Sequence, residues 1–236
     1  MYITNKTRTD GFGAQYQCII FTILFADLMG LEFVYTPFEK MEHNYDDDSN
    51  FLEKKEKLIN ILNNYKNKKD VEPEKIKDFD IGHIYNTVES NLDYCLSTET
   101  FYKIRKLFHD NKTNIIKEKT LNIHIRRPNK FDIGDYGYTE DEYFLNILKK
   151  IQLNHPDIKK IKIHSQGDEF NFSRFNNQNI DICLNKPIEE TFTDLVNSDI
   201  LVMSKSSFSY TAGLLCDGIV YYLPFWHKPR KTWITL

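Results

Sequence analysis

The apolar positions of this chain fall into an irregular first half and a regular second half. The opening residues read as a short strand, followed by a turn at Asp10-Gly11-Phe12-Gly13 and a helix over residues 14–29 with apolar positions at Ile20, Leu24 and Leu28. Gly30 stops that helix, and residues 31–35 alternate and branch like a buried strand. Strand, glycine turn, helix and strand in this order predict a parallel crossover unit. Residues 39–78 are polar and charged, with one helix predicted over 51–65 on Leu58, Ile61, Leu62 and Tyr65. A second helix, over 98–109, presents Phe101, Ile104 and Leu107.

From Leu121 the pattern becomes periodic. Strands are predicted over 121–125, 160–164, 179–184, 200–203 and 218–223, and helices over 141–153, near Phe170, over 188–196 and over 208–215. Thr139 and Glu142 have capping-box spacing before the first of these helices. Strands separated by helices indicate a parallel sheet covered on both faces, an α/β fold. The polar stretch 111–120 is the best boundary, giving residues 1–114 and 115–236 as two halves.

Composition narrows the function classes. The 236 residues are 41 % hydrophobic and 28 % charged, which suits a globular chain with a real core. A net charge of -3 with mixed signs provides no global basic field, which argues against nucleic acid as a partner, so any anion must be held locally. Cys18, Cys95, Cys183 and Cys216 lie far apart without zinc-site spacing and read as reduced core thiols. The first residues lack the apolar stretch of a signal peptide, and the most apolar run, 18–31, is too short for a span and contains Asp27. The expectation is a cytoplasmic protein with no membrane span.

Candidate chemistry gathers in two segments. Leu121-Asn122-Ile123-His124-Ile125-Arg126-Arg127-Pro128-Asn129-Lys130 places a histidine and two arginines where a buried strand ends, which is where open parallel sheets bind ligands. A guanidinium offers a rigid fork of donors that matches phosphate and stays charged. Neighbouring strand residues point to opposite faces, so Arg126, on the side of His124, is the expected phosphate ligand and Arg127 its support. A solvated strand end with surface ion pairs would use the same residues. Downstream, an apolar strand runs into Ser204-Lys205-Ser206-Ser207-Phe208-Ser209 and then a helix. Hydroxyls and backbone N–H groups at a helix start suit an anion. A simple N-cap at Ser206 or Ser207 needs one serine, and four exceed it.

In order, these segments resemble the fucosyltransferase-like glycosyltransferases of GT-B architecture, including the α-1,2-, α-1,6- and protein O-fucosyltransferase groups. His124-Ile125-Arg126-Arg127-Pro128-Asn129 is similar to their His-x-Arg-Arg-x-Asp motif, and Ser206-Ser207-Phe208-Ser209 to their serine/threonine-rich donor loop. Gly11-Phe12-Gly13-Ala14-Gln15-Tyr16-Gln17 is similar to their opening glycine-rich turn, and Ile163-His164-Ser165-Gln166-Gly167-Asp168 to the strand end whose acid reads the base. The resemblance implies two Rossmann-like halves in a compact version, an acceptor side and a donor side. It also implies a GDP-fucose or related nucleotide-sugar donor, a glycan or oligosaccharide acceptor, no required metal or other cofactor, and inversion at the anomeric carbon. Gly11, Gly13, His124, Arg126, Arg127, Asp168, Ser204, Ser206, Ser207 and Ser209 would then bind the donor, with Arg126 on the β-phosphate and His124 and Asp168 near base and ribose.

The chain departs from that pattern at Asn129, because asparagine cannot accept a proton in catalysis. Asp132 and Asp135 are the nearest carboxylates for a base, neither in the family's register, while Lys130 matches the α-1,6 group. That departure leaves two rivals: a catalytically weakened nucleotide- or glycan-binding protein of the same fold, and a metal-dependent GT-A-like transferase using Asp46-Asp47-Asp48. That acidic run before a helix also reads as a solvated turn and cap. Trp226, His227 and Trp233 pack the last strand or line a sugar site, and Tyr136 and Tyr138 are open to the same two readings. Homodimerisation is a further expectation for so short a chain.

Overall fold

A computed structural model of the protein describes residues 1–110, 118–128, 137–176 and 179–236. The chain divides into two compact units, Met1–Thr113 and Asn114–Leu236. Among the described residues no helix is long and apolar enough to cross a membrane. All four cysteines are free, with Cys18, Cys95 and Cys216 buried.

In the first unit, strands β1 (Tyr2–Thr4) and β2 (Glu32–Val34) pair in parallel around the crossover helix α1 (Phe12–Leu28). Single bridges from Tyr2 to Ile76 and from Tyr35 to Asn67 extend this small sheet. Helix α1 starts earlier than its apolar spacing predicts, because extended Gly11 is its N-cap and the Gly11 carbonyl accepts from the N–H groups of Ala14 and Gln15. It ends as predicted: Gly30 is left-handed at φ 62, and Leu31 N–H donates to the Ala26 carbonyl at 2.9 Å, closing a Schellman cap. Almost every side chain between Phe12 and Ala26 is buried, so α1 is a central rod and not an amphipathic cover.

Helix α2 (Phe51–Ile59) is shorter than expected, since Asn60 turns left-handed at φ 54 and releases the chain. Ile61 is still buried, whereas Leu62 is exposed. Two helices outside the predicted set follow: α3 (Ile81–Ser90), whose N-cap Asp80 accepts from His83 N–H at 3.1 Å, and α4 (Leu92–Cys95). Helix α5 (Glu99–His109) buries the expected Phe101, Ile104 and Leu107 and is capped by Thr98.

The second unit holds a six-stranded parallel sheet: β3 (Thr120–His124), β4 (Lys160–Ser165), β5 (Ile180–Leu184), β6 (Ile200–Val202), β7 (Ile219–Tyr222) and β8 (Ile234–Thr235). The spatial order is β5-β4-β3-β6-β7-β8. The strand order therefore runs outward one way from β3 and the other way from β6, which makes the β3/β6 seam the topological switch point. Helices α6 (Asp141–Asn154), α7 (Ile188–Val196) and α8 (Ser207–Leu215) connect the strands, and a 3₁₀ run, Glu169–Phe175, follows β4.

Alternation sorts the two faces of β3. Leu121, Ile123 and Ile125 pack with Phe144, Ile147, Leu148 and Ile151 of α6 and with Phe172 and Phe175. Asn122, on the other face, bonds Ser198 and the Asp194 carbonyl at the end of α7. The edge strand β8 has exposed residues and no apolar pattern to announce it. The capping box expected from Thr139 and Glu142 does not form: Glu140 is the N-cap of α6 without a side-chain cap bond, and the Thr139 carbonyl instead accepts from Arg127. Trp233 is buried against Tyr210 and Tyr222 and His227 stacks on Tyr210, while Trp226 is largely exposed.

Gly218 enters β7 so close to the preceding element that a Cβ would meet the carbonyl oxygens of Ser198 and Asp199. Backbone cannot give way there as a side chain could. Gly218→Ala should lower stability by about 1–3 kcal/mol through overpacking, read as a shifted urea midpoint.

Candidate functional site

The ladder between β3 and β6 ends at the pair Ile123 and Val202. Beyond it one hydroxyl joins the two strands: Ser204 Oγ donates to the His124 carbonyl at 2.5 Å and accepts from the Arg126 N–H at 2.8 Å. Ser209 Oγ in turn accepts from Ser204 N–H at 3.2 Å and approaches the Ser204 carbonyl at 3.3 Å. Ser206 caps α8, accepting from Phe208 N–H at 3.2 Å. Of the four serines assigned to the donor, Ser204 and Ser209 are thus buried parts of the joint and Ser206 is the cap, while Ser207 is half-buried in the first turn. The surplus of hydroxyls over a simple cap is explained chiefly by the strand-to-helix joint.

The two arginines part to opposite sides, as alternation requires. Arg127 pairs with Asp141 at the start of α6, donates to the Thr139 carbonyl at 3.1 Å, and lies over the rings of Tyr138 and Phe172. Its guanidinium is committed to the α6 side. Arg126 is half-buried and turns toward the β6–α8 loop. Gly137 marks the spot: at φ 83, a Cβ on it would meet both Arg126 Cδ and the Lys205 carbonyl at 2.7 Å. The structure therefore brings Arg126, Lys205 and the start of α8 together at the switch point. Gly137 and Lys205 were not assigned from sequence. Lys205 stands within the serine run and could have been, whereas no spacing marks Gly137.

His124 faces Phe208 of α8, ring centroids 5.5 Å apart, and pairs in register with His164 on β4. Burial, helped by the charge of Arg126 and by His164, pushes its imidazole down to about 3. His164 is pushed down to about 4 by burial, with Asp194 opposing and Lys162 reinforcing. Its Nε2 lies 3.0 Å from Asn122 Oδ1, an acceptor, so the proton sits on Nε2. The Nδ1 atoms of both rings have no hydrogen-bond partner among the described residues. Burial thus favours the neutral form of both imidazoles.

Asp168 is exposed beyond the C-terminal end of β4, beside β3. Its loop is held by Asn185, which accepts from Gly167 N–H at 3.1 Å and donates to the Gly167 carbonyl at 2.9 Å. Gly11 and Gly13 belong to the first unit, where Gly11 packs against the His43 ring and Gln15 Nε2 bonds the Asp10 and Lys40 carbonyls. Asn129, Lys130, Asp132, Asp135 and Tyr136 lie outside the described residues. Asp48 serves a turn: its carboxylate accepts from Asn50 N–H at 2.9 Å and Lys54 Nζ at 2.6 Å, which holds it below the usual range. Among the described residues no group of three or more His, Cys, Asp or Glu side chains is placed to hold a metal ion.

No protein-family model matches the chain, and no curated protein matches it in sequence. Among solved structures, E. coli heptosyltransferase WaaC with ADP-2-deoxy-2-fluoro heptose superposes with a TM-score of 0.51 at 12 % identity, covering 100 % of this chain and 93 % of its own. The same enzyme with ADP gives a TM-score of 0.50 at 12 % identity, covering 100 % and 92 %. POFUT1 in complex with GDP-fucose gives 0.46 at 13 % identity, covering 92 % and 94 %. The heptosyltransferase likeness is one of fold: this chain has the α/β fold of the GT-B glycosyltransferases.

The neutral histidines make stability depend on pH with a definite sign. Each binds a proton more readily unfolded than folded, so its contribution is complete above about pH 6.5 and is lost as pH falls toward about 4 for His164 and about 3 for His124. Across that interval urea-derived stability should fall as pH falls, and His164→Gln should flatten the slope. An unchanged slope in the variant would place the acid sensitivity elsewhere.

Proposed function

We propose that this chain is an inverting, metal-independent glycosyltransferase that moves a sugar from a nucleotide donor, GDP-fucose by its motifs, to a glycan hydroxyl. The observation that carries the reading is the β3/β6 joint, which sets Arg126 beside the start of α8 at the switch point of a 3-2-1-4-5-6 sheet. The GT-B fold supports it, as do the ADP and ADP-2-deoxy-2-fluoro heptose of the superposing heptosyltransferase structures.

The chemistry follows from where charge develops. As the acceptor oxygen attacks the anomeric carbon from the face opposite the leaving group, the bond to the diphosphate breaks and negative charge grows on the phosphate oxygens. Arg126, the N–H groups opening α8 and the hydroxyls of Ser206 and Ser207 stabilise that charge more than the ground state. A fixed guanidinium supplies the positive charge a divalent ion would otherwise bring. Ser204 and Ser209 act by positioning Arg126 and the helix start, and Arg127 by fixing the loop to α6. His124, neutral, offers a hydrogen bond to the nucleoside end, and Asp168 takes the ribose or base. The acceptor proton goes to a carboxylate, for which Asp132 and Asp135 are the candidates.

Arg126→Ala should remove a charge-assisted contact of roughly 1.5–3 kcal/mol, weakening GDP binding about ten- to a hundredfold in calorimetry. Equal affinities for wild type and variant would remove Arg126 from the donor site. Gly137→Ala, which forces a side chain between Arg126 and the Lys205 carbonyl at a positive φ, should weaken GDP binding while leaving the fold cooperative. Full GDP affinity in that variant would mean that the guanidinium's present position is not the binding one.

A further inference from the structure

The 3₁₀ run after β4 divides its aromatic residues sharply. Phe172 and Phe175 are buried at 0 % and 1 % exposure and complete the core under β3. Phe170, between them and Asp168, is 86 % exposed, more than any other large apolar side chain among the described residues. Packing does not account for an aromatic ring there.

Its place in the sheet does. In dinucleotide-binding sheets of this order, an acid that follows the first crossover bonds the ribose. Here the first crossover leads into β4 and the acid beyond it is Asp168, with Phe170 two residues on. The segment is anchored: Gly167, at φ 123, is gripped through both its N–H and its carbonyl by Asn185 at the end of β5, and Phe172 is locked in the core. Phe170 is thereby presented on a short, pinned stretch between two fixed points. A nucleobase needs a polar group for its edge or its ribose and a flat apolar surface for its face, and an aromatic ring supplies the second.

We infer that Phe170 is the stacking face for the nucleobase of the donor, and that with Asp168 it selects a purine nucleoside diphosphate over free pyrophosphate. The inference rests on the donor-site reading above and extends it to the base. A purine has the larger face, so GDP and ADP gain more from the ring than UDP.

The test is calorimetry of wild type, Phe170→Ala and Phe170→Trp with GDP, ADP, UDP and inorganic pyrophosphate. Phe170→Ala should bind GDP and ADP about tenfold more weakly, with pyrophosphate affinity unchanged. Phe170→Trp should restore the affinity and show an emission change with GDP, absent with pyrophosphate and beyond any change from Trp226 and Trp233 in wild type. Wild-type GDP affinity in Phe170→Ala, an equal loss for pyrophosphate, or UDP binding as tightly as GDP would overturn the assignment of Phe170. A wild-type protein that binds neither pyrophosphate nor any nucleotide would instead overturn the donor-site reading, and the inference with it.

Discussion

Adjacent parallel strands share their hydrogen bonds only as far as both remain extended, and where they end the backbone groups need other partners. At the centre of the larger sheet the Ser204 hydroxyl meets that need on both sides, satisfying the His124 carbonyl and the Arg126 N–H in place of the next ladder bonds. With Ser204 itself held by Ser209, β6 passes into α8 within a few residues. The approach to α8 and residues 124–126 are therefore tied to each other through the Ser204 hydroxyl.

The same strand separates two kinds of interior. Toward α6 it is wholly apolar, and Arg127 closes that side through Asp141 and the rings of Tyr138 and Phe172. Toward α7 it is polar and buried: Asn122 bonds Ser198 and His164, and Lys162 pairs with Asp194. Such a network stabilises only while its members are satisfied, so it sets strand register more strictly than hydrocarbon packing would. The division also explains why neighbouring arginines have unlike duties: one completes a packed face, the other emerges at the seam.

Much of the second unit was legible in the sequence because short apolar strand runs alternate there with helices such as α6 and α7, which bury one face. The reading of Arg126 and Arg127 on opposite sides needed only strand alternation. What escaped depends on single residues or on no periodicity at all. A left-handed Asn60 cuts α2 short, β8 is an exposed two-residue edge, and α1, buried on every side, revealed only one of its faces through Ile20, Leu24 and Leu28. Counting hydroxyls between 204 and 209 pointed to an anion site, yet the count could not distinguish side chains that hold the backbone from those that face outward. Gly137 is invisible to spacing because its value is the absence of a side chain where Arg126 passes.

Burial favours the neutral form of the two histidines at the seam, with the Arg126 guanidinium near His124 and the Lys162 ammonium near His164. A guanidinium does not titrate in the range where proteins stay folded. Mild acid therefore reaches this seam through the imidazoles: protonating them destabilises the sheet that carries the β3/β6 joint.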